Sequence, residues 1–221
     1  MNMVQVIPAI IAKDLDDLKR KLDLVKNEAA LVQLDVMDGK FVTEKSFGSE
    51  LSDIESVGRL ADVFFEIHLM VGDPLFWIKK WVSLPNVKRI IFHWEALKDP
   101  AEAVVCLTEI KNGGKETGLA LNPKTLLEGT MKILPEVDLV LLMTVDPGRA
   151  GQKFQEEVIH KIQSLRSFLP GVKIEVDGGI NLESAKKTVE AGADTLAVGS
   201  FAFSEISPAD QIKKIEQAVN N

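Results

Sequence analysis

The sequence predicts a single-domain (β/α)₈ barrel of the TIM type over residues 1–221, and three observations carry that expectation. Short β-rich runs alternate with amphipathic stretches along the whole chain, as βα units around a parallel sheet require. The chain has 221 residues, 46% of them hydrophobic, enough to bury one large core. No Pro/Ser-rich linker, low-complexity tract or composition shift divides it, and the turn after the first strand lacks the Gly-x-Gly-x-x-Gly pattern of the competing doubly wound sheet.

Eight strand candidates follow in order at residues 4–10, 31–36, 64–70, 88–93, 117–121, 139–143, 173–176 and 195–198. Helices are expected between them, among others at residues 15–25, 101–111, 156–168, 182–191 and 209–219. Asp14 and Asn181 stand where N-caps belong, and Gly113 and Gly192 just past helix ends, so the punctuation agrees with the periodicity.

A net charge of −7 is spread along the chain, which disfavours nucleic acid and anionic membrane surfaces as partners. An anionic ligand would need local help from backbone N–H groups or a metal. The single cysteine, Cys106, lies in an apolar helical pattern and reads as a small core residue. The N-terminus shows no basic start or cleavage site, and no apolar run approaches a membrane span, so a cytoplasmic soluble protein is expected.

In such a barrel, polar residues at the C-terminal strand ends form the ligand site. Period-two alternation puts Gln33, Asp35 and Met37 on the inner face of strand two, with Leu34 and Val36 facing the helices. Strand three repeats the pattern with Glu66, His68 and Met70, and strand seven with Glu175 and Asp177. An Asp, a His and an Asp converging on one mouth are hard to explain by packing, because unpaired buried charges are expensive. A shared ligand or metal would neutralise them.

Asp38-Gly39 reads as a turn, without chemistry. His93, in Phe92-His93-Trp94-Glu95-Ala96, suits either a ligand contact or a hydrogen-bonded structural role, and His160 reads as an exposed helix residue. Glycine-rich turns follow strand six (Gly148-Arg149-Ala150-Gly151), strand seven (Gly178-Gly179) and strand eight (Gly199-Ser200). Their backbone N–H groups could hold a phosphate without a lysine. Arg149 either adds charge there or is a solvated loop residue.

Taken together, Leu34-Asp35-Val36-Met37-Asp38-Gly39-Lys40-Phe41-Val42, Ile67-His68-Leu69-Met70-Val71, Phe92-His93-Trp94-Glu95-Ala96, Gly118-Leu119-Ala120-Leu121-Asn122-Pro123 and Val176-Asp177-Gly178-Gly179-Ile180-Asn181 strongly resemble the ribulose-phosphate 3-epimerase family. The likeness covers nearly the whole chain, with the blocks in the family's order and spacing. It implies a barrel that interconverts ribulose 5-phosphate and xylulose 5-phosphate by two-base proton transfer through a metal-stabilised enediolate. By that likeness Asp35 and Asp177 are the acid/base pair and also metal ligands, with His68 a third ligand. Met37, Met70 and Met143 would cover the reaction centre and His68 would border it. Gly148 to Gly151, Gly178, Gly179, Gly199 and Ser200 would contact substrate and phosphate. The partner implied is a small phosphorylated sugar, and a homo-oligomer is expected.

The chain departs from the family pattern in four places. Gln33 stands where a metal-binding histidine is usual, and Ala9 replaces a serine that contacts substrate. Thr43-Glu44 replaces Pro-Asn, and Gly148-Arg149-Ala150-Gly151 replaces Gly-Phe-Gly-Gly. Gln33 could coordinate through its amide oxygen, which suits harder ions than imidazole does, so either metal affinity falls or selectivity drifts from Zn²⁺ or Fe²⁺ toward Mn²⁺ or Mg²⁺. Retention of both aspartates argues for chemistry. The altered positions leave two alternatives open: an epimerase of another phosphorylated ketose such as allulose 6-phosphate, or a catalytically silent sugar-phosphate binding protein.

Overall fold

A computed structural model describes residues 3–60, 63–204 and 207–220. Eight parallel strands close into a barrel in sequence order, β1 (Gln5–Ile10), β2 (Leu31–Met37), β3 (Phe64–Met70), β4 (Val87–His93), β5 (Glu116–Leu121), β6 (Leu139–Met143), β7 (Lys173–Asp177) and β8 (Thr195–Val198). The α-helices in the connections and after β8 are α1 (Leu15–Asp23), α2 (Leu51–Gly58), α3 (Pro74–Trp81), α4 (Pro100–Asn112), α5 (Val158–Phe168), α6 (Leu182–Ala191) and α7 (Pro208–Asn220). The expected strands all form, with ends displaced by a residue at most.

The caps read from the sequence are in place. The Asp14 side chain accepts from Asp17 N, the Asn181 side chain accepts from the start of α6, and Gly113 and Gly192 follow α4 and α6. One expectation is corrected: the β5–β6 connection carries only the short 3₁₀ turns Leu127–Gly129 and Leu134–Glu136. Pro123, Gly129 and Pro135 interrupt it, so no run of helical hydrogen bonds can propagate there.

Strand alternation sorts the core into two environments. Outward-facing Leu34, Val36, Ile67, Leu69, Ile90, Phe92, Leu142 and Val176 pack with helix residues such as Leu18, Trp81, Ile110, Ile162 and Ile215 in one apolar layer. Inside the barrel, Ile91, Ala120, Leu139, Leu141 and Met143 form an apolar wall contributed by β4, β5 and β6. Ile7, Ala9 and Ala197 form a second. The remaining interior is polar: Gln33, Glu66, His68, Arg89, His93 and Glu175 are all buried.

Arg89 of β4 answers the deepest of these charges. Its guanidinium pairs with Glu66, lies 3.5 Å from Glu175 and 2.6 Å from Glu116. Burial, and then the charge of Glu66, push the Glu175 carboxyl well above the usual carboxylate range. Neutralising the floor in this way leaves the aspartates one layer higher to be answered at the mouth.

The apolar wall is packed to contact. A Cβ at Gly118 of β5 would lie 2.4 Å from Ile91 Cγ1, whereas one at Gly129 in the β5–β6 connection meets nothing within 4 Å. Gly118→Ala is expected to destabilise the fold by about 1–3 kcal/mol in urea unfolding, through overpacking. Gly129→Ala is the matched control, expected within about 0.5 kcal/mol of the parent. Equal stability of the two variants would contradict the packing described.

Candidate active site

The strand register brings the polar residues to common levels. Gln33 pairs with Glu66, Asp35 with His68 and Met37 with Met70 across β2 and β3, and Met143 pairs with Asp177 across β6 and β7. Asp35, His68 and Asp177 therefore sit at one height just inside the C-terminal mouth. Each offers a donor atom, and the three atoms lie within 4.8 Å of one another. His68 Nδ1 is 3.0 Å from Asp35 Oδ1 and 3.5 Å from Asp177 Oδ2.

Gln33 closes this cluster from below. Its Nε2 donates to Asp35 Oδ1 at 2.8 Å and to Asp177 Oδ2 at 2.7 Å, and stands 3.4 Å from His68 Nδ1. The amide nitrogen faces the carboxylates, because it alone can donate to both. The buried Oε1 has no hydrogen-bond partner among the described residues.

That unpartnered oxygen bears on whether a metal suits the site. Turning the amide over would aim Oε1 at the convergence point, adding a neutral oxygen to two carboxylates and an imidazole. Such a set of O and N donors suits Zn²⁺, Fe²⁺, Mn²⁺ or Mg²⁺. The residues present fit a divalent ion.

Without an ion, the protein supplies positive charge itself. Burial opposes a charged imidazole at His68, but hydrogen bonds to Asp177 and Asp35 outweigh it and lift the group to about 9. Burial raises the Asp35 carboxyl, reinforced by the charge of Asp177.

Above the cluster opens a cleft lined by Asp35, Asp177, Met70 and Met143, by residues 9–11 at the end of β1 and by the three glycine-rich turns at 145–152, 178–180 and 199–200. Gly148, Arg149, Ala150, Gly151, Gly178, Gly179, Gly199 and Ser200 all reach it, as the sequence suggested. Gly178 and Gly179 have φ of 117° and 63°, and a Cβ at Gly179 would lie 2.6 Å from Phe154 N, so glycine is required at that turn. Met37, His68 and Gln33 are instead buried beneath the cleft.

The cations bordering the cleft are occupied or exposed. Lys21 Nζ is held by Ile11 O at 2.7 Å and Asp17 at 2.9 Å. Arg149 is largely solvated, with Glu44 3.7 Å away. An anion here would rely on backbone N–H groups, as the acidic composition implied.

The other sequence candidates also resolve. His93 lies behind His68, with its Nε2 2.9 Å from His68 Nε2, and does not line the cleft. Asp38 accepts from Lys40 N and Gly72 N and only shapes the turn. His160 is exposed. Cys106 is buried, and burial pushes its thiol to about 12, far from nucleophilic reactivity. Arg89 and Glu95 escaped sequence reasoning. Arg89 shares the inward parity of Ile91 and His93, which would have paired it with Glu66 and Glu175.

A closed (β/α)₈ barrel with two carboxylates and an imidazole converging beneath a glycine-lined mouth defines an enzyme-type site, suited to moving a proton on a ligand held in the cleft. The chain matches the ribulose-phosphate 3 epimerase family over residues 5–203. It is 36% identical over 213 residues to a ribulose-phosphate 3-epimerase from Chlamydia muridarum, covering 92% of this chain and 90% of that one. It is 32% identical over 216 residues to a ribulose-phosphate 3-epimerase from Mycobacterium tuberculosis, covering 96% and 91%. The chain belongs to the ribulose-phosphate 3-epimerase family.

Solved structures support the fold alone. KGPDC from Streptococcus mutans superposes with a TM-score of 0.73 at 13% identity, covering 99% of this chain and 98% of that one. The 3-hexulose-6-phosphate synthase from Salmonella typhimurium gives 0.74 at 17% identity, covering 97% and 98%. No helix among the described residues is long and apolar enough to cross a membrane.

The raised His68 value has a testable consequence for the chelator-treated chain. A group lifted from 6.5 to about 9 on folding contributes stability that is fully present below pH 6.5 and is lost as pH rises through about 9. Urea midpoints are expected to fall across that window, and His68→Asn to flatten the fall. An unchanged slope in His68→Asn would contradict the charged imidazole.

Proposed function

We propose that this chain interconverts ribulose 5-phosphate and xylulose 5-phosphate by inverting carbon 3, with Asp35 and Asp177 as the two acid/base groups. The observation that carries this reading is the convergence of those carboxylates, from strands on either side of β1 and β8, on one point beneath the cleft.

Inversion beside a carbonyl needs a proton removed from one face and another delivered to the opposite face. One aspartate takes the carbon 3 proton, leaving an enediolate. The other, entering as the acid, donates its proton to the opposite face, and the pair is then set for the reverse direction. Burial and the charge of Asp177 keep Asp35 protonated to higher pH than a free carboxylate, as an acid in waiting requires.

A divalent ion held by Asp35, His68, Asp177 and the turned Gln33 oxygen would supply Lewis-acid stabilisation of the charge developing on the substrate oxygens. Met70 and Met143 line the cleft and Met37 backs them, three apolar, polarisable groups that exclude water from the reacting carbon. The glycine turns after β6, β7 and β8 bind the phosphate and fix the sugar's register. The substrate partner is a small phosphorylated ketose, and the cytoplasm is the setting that the single buried, unpaired Cys106 supports best.

Incubation with ribulose 5-phosphate in D₂O and a divalent ion is expected to place deuterium at carbon 3. No incorporation with any of Zn²⁺, Fe²⁺, Mn²⁺ or Mg²⁺ would leave the chain a silent sugar-phosphate binder. Asp177→Asn is expected to lower kcat by at least about 10²-fold while substrate still binds in calorimetry. Full activity in that variant would show the proton carrier lies elsewhere. Gln33→His is expected to raise metal content measured by elemental analysis, and unchanged content would place the ion outside this cluster.

A further inference from the structure

His68 Nε2 and His93 Nε2 face each other at 2.9 Å inside the barrel. Two lone pairs at that distance repel and two N–H groups clash, so one ring must donate and the other accept. The opposite edge of His93 faces Glu95, with Nδ1 3.3 Å from Oε2. An ionised carboxylate only accepts, which places the His93 proton on Nδ1 and leaves Nε2 a lone pair. His68 must then donate through Nε2, so Nδ1, the nitrogen pointing at Asp35 and Asp177, is the one left to hold a cation.

We infer that Glu95 is a positioning residue, which, acting through His93, fixes the tautomer of His68 so that Nδ1 serves as the metal-binding nitrogen. The inference rests on the metal reading of the site proposed above. Ligating histidines commonly have their second nitrogen tied to a carboxylate. Here the tie is extended by one imidazole, so the residue that sets the ligand's chemistry stands a full ring away from it.

The surroundings of Glu95 are built to hold it in place. Its Oε1 accepts from Asn122 N at 2.8 Å and from the Thr125 hydroxyl, leaving Oε2 for His93. The turn carrying those donors is pinned from α5, where Lys161 Nζ donates to Asn122 O at 2.7 Å and Pro123 O at 2.6 Å.

Glu95→Gln tests the relay with almost no change in shape. Asn122 N requires an acceptor, so the amide oxygen of the variant must take the Oε1 place and its NH₂ must face His93 Nδ1. That reverses His93, puts a proton on its Nε2, and turns His68 so that its own Nε2 is the lone pair. ¹⁵N spectra of the histidine-labelled chain are expected to show His93 Nδ1 protonated in the parent and Nε2 protonated in Glu95→Gln. Zn²⁺ affinity, measured by competition with a chromophoric chelator, is expected to fall by about 10–100-fold. Thr125→Val removes a Glu95 contact without touching its His93 edge and is expected to leave both readouts at parental values.

A parental chain with His93 protonated on Nε2, or a Glu95→Gln variant with parental tautomers and parental Zn²⁺ affinity, would overturn the relay. An equal loss of affinity in Thr125→Val with no change in tautomer would also overturn it, by showing that Glu95 matters only for holding the turn. Absence of Zn²⁺ binding in the parent would sink the metal reading instead, and the tautomer spectra of the metal-free chains would still decide the relay.

Discussion

Two carboxylates held close together at the inner end of a cleft are the constraint around which this barrel is arranged. Asp35 and Asp177 repel each other, at about 4 kcal/mol for unit charges 4 Å apart in a partly screened interior. Their separation lies within 4.8 Å. No packing arrangement relieves that repulsion; only protons, donors or a cation can. The Gln33 amide supplies two N–H donors and His68 supplies a proton, so the cluster is compensated by the chain's own groups. A bound divalent ion would take over the same task, expelling the His68 proton from Nδ1 as it did so, which ties metal affinity to pH.

The rest of the interior follows from keeping that charge at the mouth. Arg89 pairs with Glu66 on the floor while burial and the charge of Glu66 hold Glu175 toward its neutral form, and the wall of Ile91, Ala120, Leu139 and Leu141 keeps one side of the barrel apolar. The charged groups left to face a ligand are therefore those of the layer directly beneath the cleft. Above them, glycine turns rather than free lysines wall the cleft, whose bordering cations Lys21 and Arg149 are tied up or solvated.

Much of this was legible in the sequence because period-two alternation is rigid in a strand. The parity of Gln33, Asp35 and Met37, repeated by His68 and Met70 and by Asp177, requires those residues to share an interior once the barrel closes. The caps at Asp14 and Asn181 and the glycines after α4 and α6 were equally readable, since each satisfies a local rule. What escaped depends on contacts between strands far apart in the chain. The Gln33 amide turns its nitrogen to the carboxylates only because Asp35 and Asp177, 142 residues apart, arrive on either side of it. Glu95 gains meaning only through His93 and the turn at Asn122, and Arg89 only through acids on β3, β5 and β7. The missing helix between β5 and β6 was signalled by prolines and a glycine, but alternation with the other units suggested regularity.

Anomalous scattering from crystals soaked in Mn²⁺ or Zn²⁺ tests the central claim most directly. The account expects a single strong peak about 2.0–2.2 Å from an oxygen each of Asp35 and Asp177 and from His68 Nδ1. The Gln33 oxygen should be turned toward it. A peak elsewhere, or an ion-free cluster with the Gln33 nitrogen still between the carboxylates at saturating metal, would contradict it.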